Sequence, residues 1–268
     1  MRALCEPVLV GPVNVVRGAG VSVVETAPCE VHAGEVRPQH GRAALEAAER
    51  AIAGALEGAF EAVVAAPHSE AAIRAAGIEF DGYPSFVARC TGVAPEDAIL
   101  MLCFEHGGRE IRIAHVTLHT RVARALRLIT KERVAHTIRA VHRVFSEAKI
   151  AVSGLNPHAT GDEEEMAIGP AVEACREDGI VVDGPIGADT LIQREEYGAY
   201  VVMLHDQGHV AAKALAPNRI AALTIGTPVL FSSVGHGAAF DIAGRDRADP
   251  AAMVEAITRL VTRRRRIR

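Results

Sequence analysis

Three histidines stand at the ends of short apolar runs: His119 closes "RIAHVTLHT", His158 follows "KIAVSGLNPHA", and His205 follows "YVVML". Three neutral imidazoles suit Zn²⁺, Mn²⁺, Co²⁺ or Fe²⁺, and an ion with an open coordination position polarises a hydroxyl or carbonyl as a Lewis acid. Spacing alone supports this weakly: the chain carries 12 histidines, and a single one is more often a satisfied polar residue than a ligand. Asp206 directly follows His205 and Asp189 sits in "GPIGADTLI"; either orients a histidine or moves a proton. Asp189 reads equally well as the N-cap of a short helix over "TLIQRE". Lys213 lies on a helix leaving the third strand end, where it meets an anionic substrate group or serves as a surface cation. The glycines of "SGLNPHATG" and "HDQGH" predict close approach of the backbone to a ligand. Gly235, His236 and Gly237 in "SSVGHGAAFDIAG" predict a cofactor-contacting turn at another strand-to-helix junction.

Such residues need strands to deliver them. The runs "PVLVG", "EAVVAAP", "AILMLCF", "RIAHVTL", "KIAVSG", "GIVVDG", "AYVVML", "AALTIG" and "VLFSSV" are short and bounded by Gly, Pro or charge, which predicts buried strands. Between them, Leu45, Ala48, Ile52 and Leu56 share one helical face, as do Val134, Ile138, Val141 and Phe145 after the N-cap candidate Thr130. "DEEEMAIGPAVEACREDG" predicts a helix opened by acids, kinked or split at Pro170 and stopped by Gly179. Alternating strands and helices predict an α/β fold on a largely parallel sheet, with ligands at the carboxyl ends of its strands.

Composition narrows the function classes. With 268 residues and 49% apolar content the chain can fill the core of one large domain or two small ones. A formal net charge of −4, 4% aromatic residues and no Trp argue against a nucleic-acid partner. The basic run at 263–268, "RRRRIR", reads as the solvated end of a last helix. Cys5, Cys29, Cys90, Cys103 and Cys175 form no C-x-x-C pair, which fits a reducing cytoplasm. No apolar run approaches a membrane span and no signal peptide is evident. The chain shows neither a dinucleotide G-x-G-x-x-G after a strand, nor a P-loop, nor a G-x-S-x-G elbow.

Taken together, "VTLHT", "GLNPHA", "LHDQG" and "GADTL" resemble the motifs of the 4-hydroxythreonine-4-phosphate dehydrogenase family over nearly the whole chain. The resemblance implies that His119, His158 and His205 hold a divalent metal (Zn, Mn, Co or Mg), that Asp189, Asp206 and Lys213 act on the substrate, and that NAD is the oxidant. It implies a two-domain α/β/α architecture like that of isocitrate and isopropylmalate dehydrogenases, with a cleft between the domains. Residues 1–66 with 200–268 would form the first domain, and 67–199 the second, which carries the dimer and metal-site elements of a homodimer.

"GYPS", "HVTLH", "MLHDQGH", "LAPN" and "SSVGHG" are closest to the branch containing terephthalate cis-dihydrodiol dehydrogenase. Tyr83 and Pro84 stand where phosphate-handling members carry His-Thr, and Ala222 and Phe231 where they carry Asn and Arg. These replacements remove charge-assisted donors that a phosphate dianion needs. The expectation is an NAD- and metal-dependent dehydrogenase that oxidises a carboxylated cis-dihydrodiol with loss of carbon dioxide, Tyr83 and Lys213 contacting the substrate. The alternatives are a 4-hydroxythreonine-4-phosphate dehydrogenase or related phosphorylated hydroxy-acid enzyme, and an inactive ligand-binding homologue. The chain also starts near the family's second strand, without its G-D-P-x-G-I-G-P-E-like opening unit, and the loop after His158 is short. A misplaced start, a truncation or a differently closed fold would each account for the first departure.

Overall fold

The computed structural model describes residues 4–217 and 219–267; the side chains of the basic run at 263–268 lie outside the described residues. The chain divides into two compact units, Met1–Pro95 with Thr227–Arg268, and Glu96–Gly226. The boundaries inferred from the resemblance, 66/67 and 199/200, differ from these. The segment from Ala199 belongs with the second unit because its strand pairs with strands on either side of it there.

In the first unit, β1 (Val8–Pro12) and β2 (Ser22–Thr26) pair in parallel around the short helix α1 (Val13–Val16). β2, in "VSVVET", is a strand the apolar pattern did not mark. Helix α2 (Pro38–Leu56) opens with Pro at its first turn and buries Leu45, Ala48 and Ile52, the predicted face. Leu56, at its last turn, is exposed instead. β3 is only Val63–Val64 and pairs in parallel with β10 (Phe231–Val234). Ser69 caps α3 (Glu70–Ala75) by accepting the Ala72 amide at 3.2 Å. α4 (Tyr83–Thr91) stops at Gly92, φ 72°. Leu45, Ile52, Ile73, Tyr83, Phe86 and Phe231 fill the core of this unit, and α10 (Ala251–Ile267) closes the chain.

The second unit runs β4 (Ile99–His106), β5 (Arg109–His115), α5 (Val122–Leu128), α6 (Lys131–Val144), β6 (Ile150–Ser153), a π-helical turn (Glu164–Ile168), α7 (Gly169–Glu177), β7 (Val182–Ile186), α8 (Ala188–Leu191), β8 (Ala199–Val202), α9 (His205–Leu215) and β9 (Ala221–Ile225). Its strands lie in the order β9-β4-β5-β8-β6-β7. β5, β8, β6 and β7 are parallel, as expected, but β4 is antiparallel to both neighbours. Gly107 and Gly108, at φ 59° and 73°, close a tight two-residue hairpin between β4 and β5, so no crossover helix intervenes. Thr130 caps α6 through its hydroxyl, and Val134, Ile138 and Val141 are buried. The acidic helix splits as its proline predicted: the π-turn ends where Pro170 opens α7, and Gly179 ends it at φ 83°. Phe104, Ile113 and Tyr200 anchor the core, each large apolar side chain contributing about 1.5–3 kcal/mol on burial.

Away from the strand ends that carry the histidines, Asp183 on β7 binds Lys149 Nζ at 2.7 Å, accepts the Tyr197 hydroxyl at 2.9 Å and faces Arg176. The Lys149 bond foremost, then the Tyr197 hydroxyl, holds its carboxyl below the usual range. A depressed folded-state pKa contributes stability above the unfolded value, about 3.9, that is lost as pH falls through the folded value. Asp183→Asn is therefore expected to melt below the wild type at pH 7 and to converge with it near pH 2, followed by thermal unfolding across that range. An equal gap at both pH values would rule out the ionised group as the source.

Candidate active site

The last residues of β5 and β8 are locked side by side. The Val116 amide donates to Val202 O at 2.9 Å and the Thr117 amide to Met203 O at 3.1 Å. The Thr117 hydroxyl adds a 2.7 Å bond to the same Met203 carbonyl. His119 thus leaves one strand end beside His205, the first residue of α9, and their rings lie 5.4 Å apart between centroids. His205 Nδ1 binds Asp206 Oδ1 at 2.7 Å. That bond fixes the imidazole tautomer and leaves Nε2 as the free lone pair, the arrangement of a carboxylate-supported metal ligand. The same bond, above all other influences, holds the Asp206 carboxyl below its ordinary range.

His158 sits on the loop after β6 in a left-handed conformation, φ 59°, and Ala159 follows at φ 54°. Two consecutive non-glycine residues there are strained and need surrounding structure to hold them. Asp189 lies in the first turn of α8, just after β7: a Cβ built on Gly187 would stand 2.9 Å from Asp189 Oδ1 and 3.9 Å from His158 Cα. α8 is capped by Gly187 without a side-chain bond, so the capping role weighed for Asp189 falls away. Asp189, Asp206, Lys213, His119 and His158 are exposed, and His205 is half-buried.

Among the described residues, no group of three or more His, Cys, Asp or Glu side chains stands in metal-ligand geometry. The donor set nonetheless fits a divalent ion. His119 and His205 are neighbours, His205 presents Nε2, and Gln207 ties the loop before His158 to the start of α9. Gln207 Oε1 accepts the Met203 and Leu204 amides at 2.9 and 3.0 Å, while Nε2 donates to Gly154 O at 3.0 Å.

Sequence reasoning passed over the side chains behind these ligands. His209, four residues after His205 and therefore on the same helical face, stacks on it at 3.7 Å between centroids and 11° between planes. His209 Nδ1 donates to His205 O at 3.1 Å. Burial first, then His205, moves the His209 pKa down to about 4. His115 lies behind it, 4.9 Å from His209 and 3% exposed, donating Nδ1–H to Leu100 O at 3.2 Å. Burial above all lowers its pKa to about 3, so both imidazoles are neutral at pH 7. The i, i+4 spacing was the available signal for His209; nothing local marked His115.

The motif glycines lie close against protein atoms. Gly208 accommodates the His115 ring, Gly154 admits Ala159 and Glu164, and Gly161 admits Asn156. Tyr83 belongs to the other unit, 6% exposed, with its ring against His68, Phe80 and Phe231. Burial pushes its phenol up to about 12. Gly235, His236 and Gly237 also lie in that unit, after β10; His236 Nδ1 donates to Gly237 O at 3.0 Å, and open space faces Gly237.

Residues 9–260 match the family model described as "Pyridoxal phosphate biosynthetic protein PdxA". The chain is 43% identical over 237 residues to the 1,2-dihydroxy-3,5-cyclohexadiene-1,4-dicarboxylate dehydrogenase of Comamonas sp, covering 85% of this chain and 74% of that protein. The crystal structure of the 4-hydroxythreonine-4-phosphate dehydrogenase of Klebsiella pneumoniae superposes with a TM-score of 0.76 at 32% identity, over 90% of this chain and 77% of that one. At the level of fold alone, a beta-decarboxylating dehydrogenase of Thermococcus kodakarensis gives a TM-score of 0.54 at 17% identity, over 82% of this chain and 67% of that one. Both the family resemblance and the dehydrogenase-type α/β fold expected from the motifs are thereby found.

Proposed function

The chain belongs to the PdxA family of dehydrogenases, and from that premise we propose that it oxidises a carboxylated, non-phosphorylated diol with NAD and a divalent metal, releasing carbon dioxide and forming a catechol. The observation that carries the reading is His205, braced by Asp206 at 2.7 Å and 5.4 Å from the His119 ring. A divalent ion held by His119, His158 and His205 supplies Lewis acidity at the diol oxygens, and NAD supplies the hydride acceptor. Asp189, beside the His158 turn, takes the hydroxyl proton. Asp206, occupied with His205, keeps that imidazole in its ligand tautomer. Lys213 lies seven residues beyond Asp206, two turns along the same face of α9, and meets a substrate carboxylate.

The choice of a non-phosphorylated substrate is supported by the residue types at Tyr83, Pro84, Ala222 and Phe231, none of which supplies the charge-assisted donors a phosphate dianion needs. Gly237, with open space over it, fits cofactor contact. The protein acts as a homodimer: Val122, Leu126, Met166 and Val210, on the elements around the three histidines, are exposed apolar surface for a second copy. No described helix is long and apolar enough to cross a membrane.

Absorbance of NADH is expected to rise with a carboxylated cis-dihydrodiol in the presence of Mn²⁺ or Zn²⁺ and to stay flat after chelation. Turnover of phosphohydroxythreonine alone would overturn the substrate assignment, and turnover of neither compound by the metal-loaded protein would favour the inactive ligand-binding homologue.

A further inference from the structure

Glu164 is 4% exposed in the π-helical turn, yet it belongs to none of the motifs that name the site. Its carboxylate accepts the Leu155 amide at 2.6 Å, the Asn156 amide at 2.8 Å and Asn156 Nδ2 at 2.8 Å. All three donors lie in the few residues between β6 and His158. The backbone is shaped around this carboxylate: a Cβ on Gly154 or on Gly161 would stand 3.1 Å from a Glu164 oxygen, in addition to meeting Ala159 or Asn156. Burial opposes its ionisation, but the Asn156 side chain and the Asn156 and Leu155 amides outweigh it and hold the carboxyl below its usual range. From the other side, Gln207 of α9 grips Gly154 O. The start of the segment that leads to the left-handed pair His158–Ala159 is thus held from two sides.

We propose that Glu164 is a positioning residue for the metal centre: by binding the 155–156 backbone it holds His158 in its strained conformation within reach of the ion. A left-handed non-glycine residue is strained and relaxes when its supports are removed. Three charge-assisted bonds to one buried carboxylate oppose that relaxation. This explains how a short loop after His158 still fixes the residue: the π-turn directs an acidic side chain back under the loop, so no longer segment is needed. The inference rests on the reading of His158 as a ligand.

The test is a double-mutant cycle on the full chain, with Mn²⁺ and Zn²⁺ affinity measured by titration calorimetry and folding checked by circular dichroism at 25 °C. Glu164→Gln is expected to weaken metal binding by about 10- to 100-fold, the range for outer-shell partners. In the His158→Ala background, the same substitution is expected to change affinity less than about threefold, because the side chain it positions is gone. A general structural role predicts the same loss in both backgrounds, and that result would overturn the proposal, as would wild-type affinity for Glu164→Gln. Should Glu164→Gln not fold, Glu164→Asp, which withdraws the carboxylate by one methylene, decides by the same criterion. Glu165→Gln, at the exposed neighbour, controls for loss of charge. Wild-type metal affinity for His158→Ala alone would instead sink the ligand assignment, separately from the role of Glu164.

Discussion

Replacing His205 with alanine is expected to lower kcat/KM for a carboxylated cis-dihydrodiol by about 10³-fold or more, equivalent to about 4 kcal/mol of transition-state stabilisation. His205 stands at the centre of the arrangement: Asp206 fixes its Nδ1, His209 stacks on its ring, and His119 lies 5.4 Å away. Removing it takes away a proposed ligand and leaves Asp206 without its partner. The fold should survive, because the start of α9 is held by Gln207 through the Met203 and Leu204 amides and His205 is only half-buried. Steady-state NADH formation with saturating Mn²⁺, alongside metal content of the purified variant, checks both halves of the expectation. Retained metal and near-normal turnover would remove His205 from the centre of the mechanism.

A second large effect is expected at Gly208, where alanine should destabilise the protein by about 2 kcal/mol despite its better helix propensity. A Cβ there would overlap His115 Nε2 and stand 2.9 Å from its Cε1 and 3.0 Å from Ile113 Cγ2. The His115 ring is 3% exposed and anchored to Leu100 O, so it cannot swing aside. For a chain of this size each kcal/mol corresponds to roughly 2–4 °C in melting temperature. Activity should fall as well, because α9 carries His205 less than a turn before Gly208, and a displacement of about 1 Å at a reacting group can cost about 10²-fold. In the His115→Ala background the same substitution should be nearly neutral. A Gly208→Ala variant as stable as the wild type would show that the histidine yields and that the close approach is not required.

What the sequence by itself determined is the set of parts. Apolar runs bounded by Gly, Pro and charge marked all the strands except β2, because burial on both faces demands such runs wherever the strand ends up. Thr130, Pro170 and Gly179 set helix limits that the structure keeps, since capping, a missing amide and a left-handed stop are local chemistry. His119, His158 and His205 were legible as candidates because each directly follows a strand or its loop, and strand ends in an α/β sheet are where ligands bind. The direction of β4 could have been read from Gly107-Gly108, the hairpin turn between two apolar runs; the alternation of strands and helices outweighed it.

Only the tertiary structure decided how those parts meet. The pairing of His119 with His205 depends on the register that joins Val116 and Thr117 to Val202 and Met203, residues more than 80 positions apart. Nothing local to Tyr83 says that its ring packs against Phe231, or that the His115 ring lies against Gly208. Glu164 lies in a run of acids whose members look interchangeable in sequence. A π-helical turn aims one of them into the interior beneath the His158 loop, and hydrogen bonds between segments, unlike periodicity, leave no trace in residue spacing.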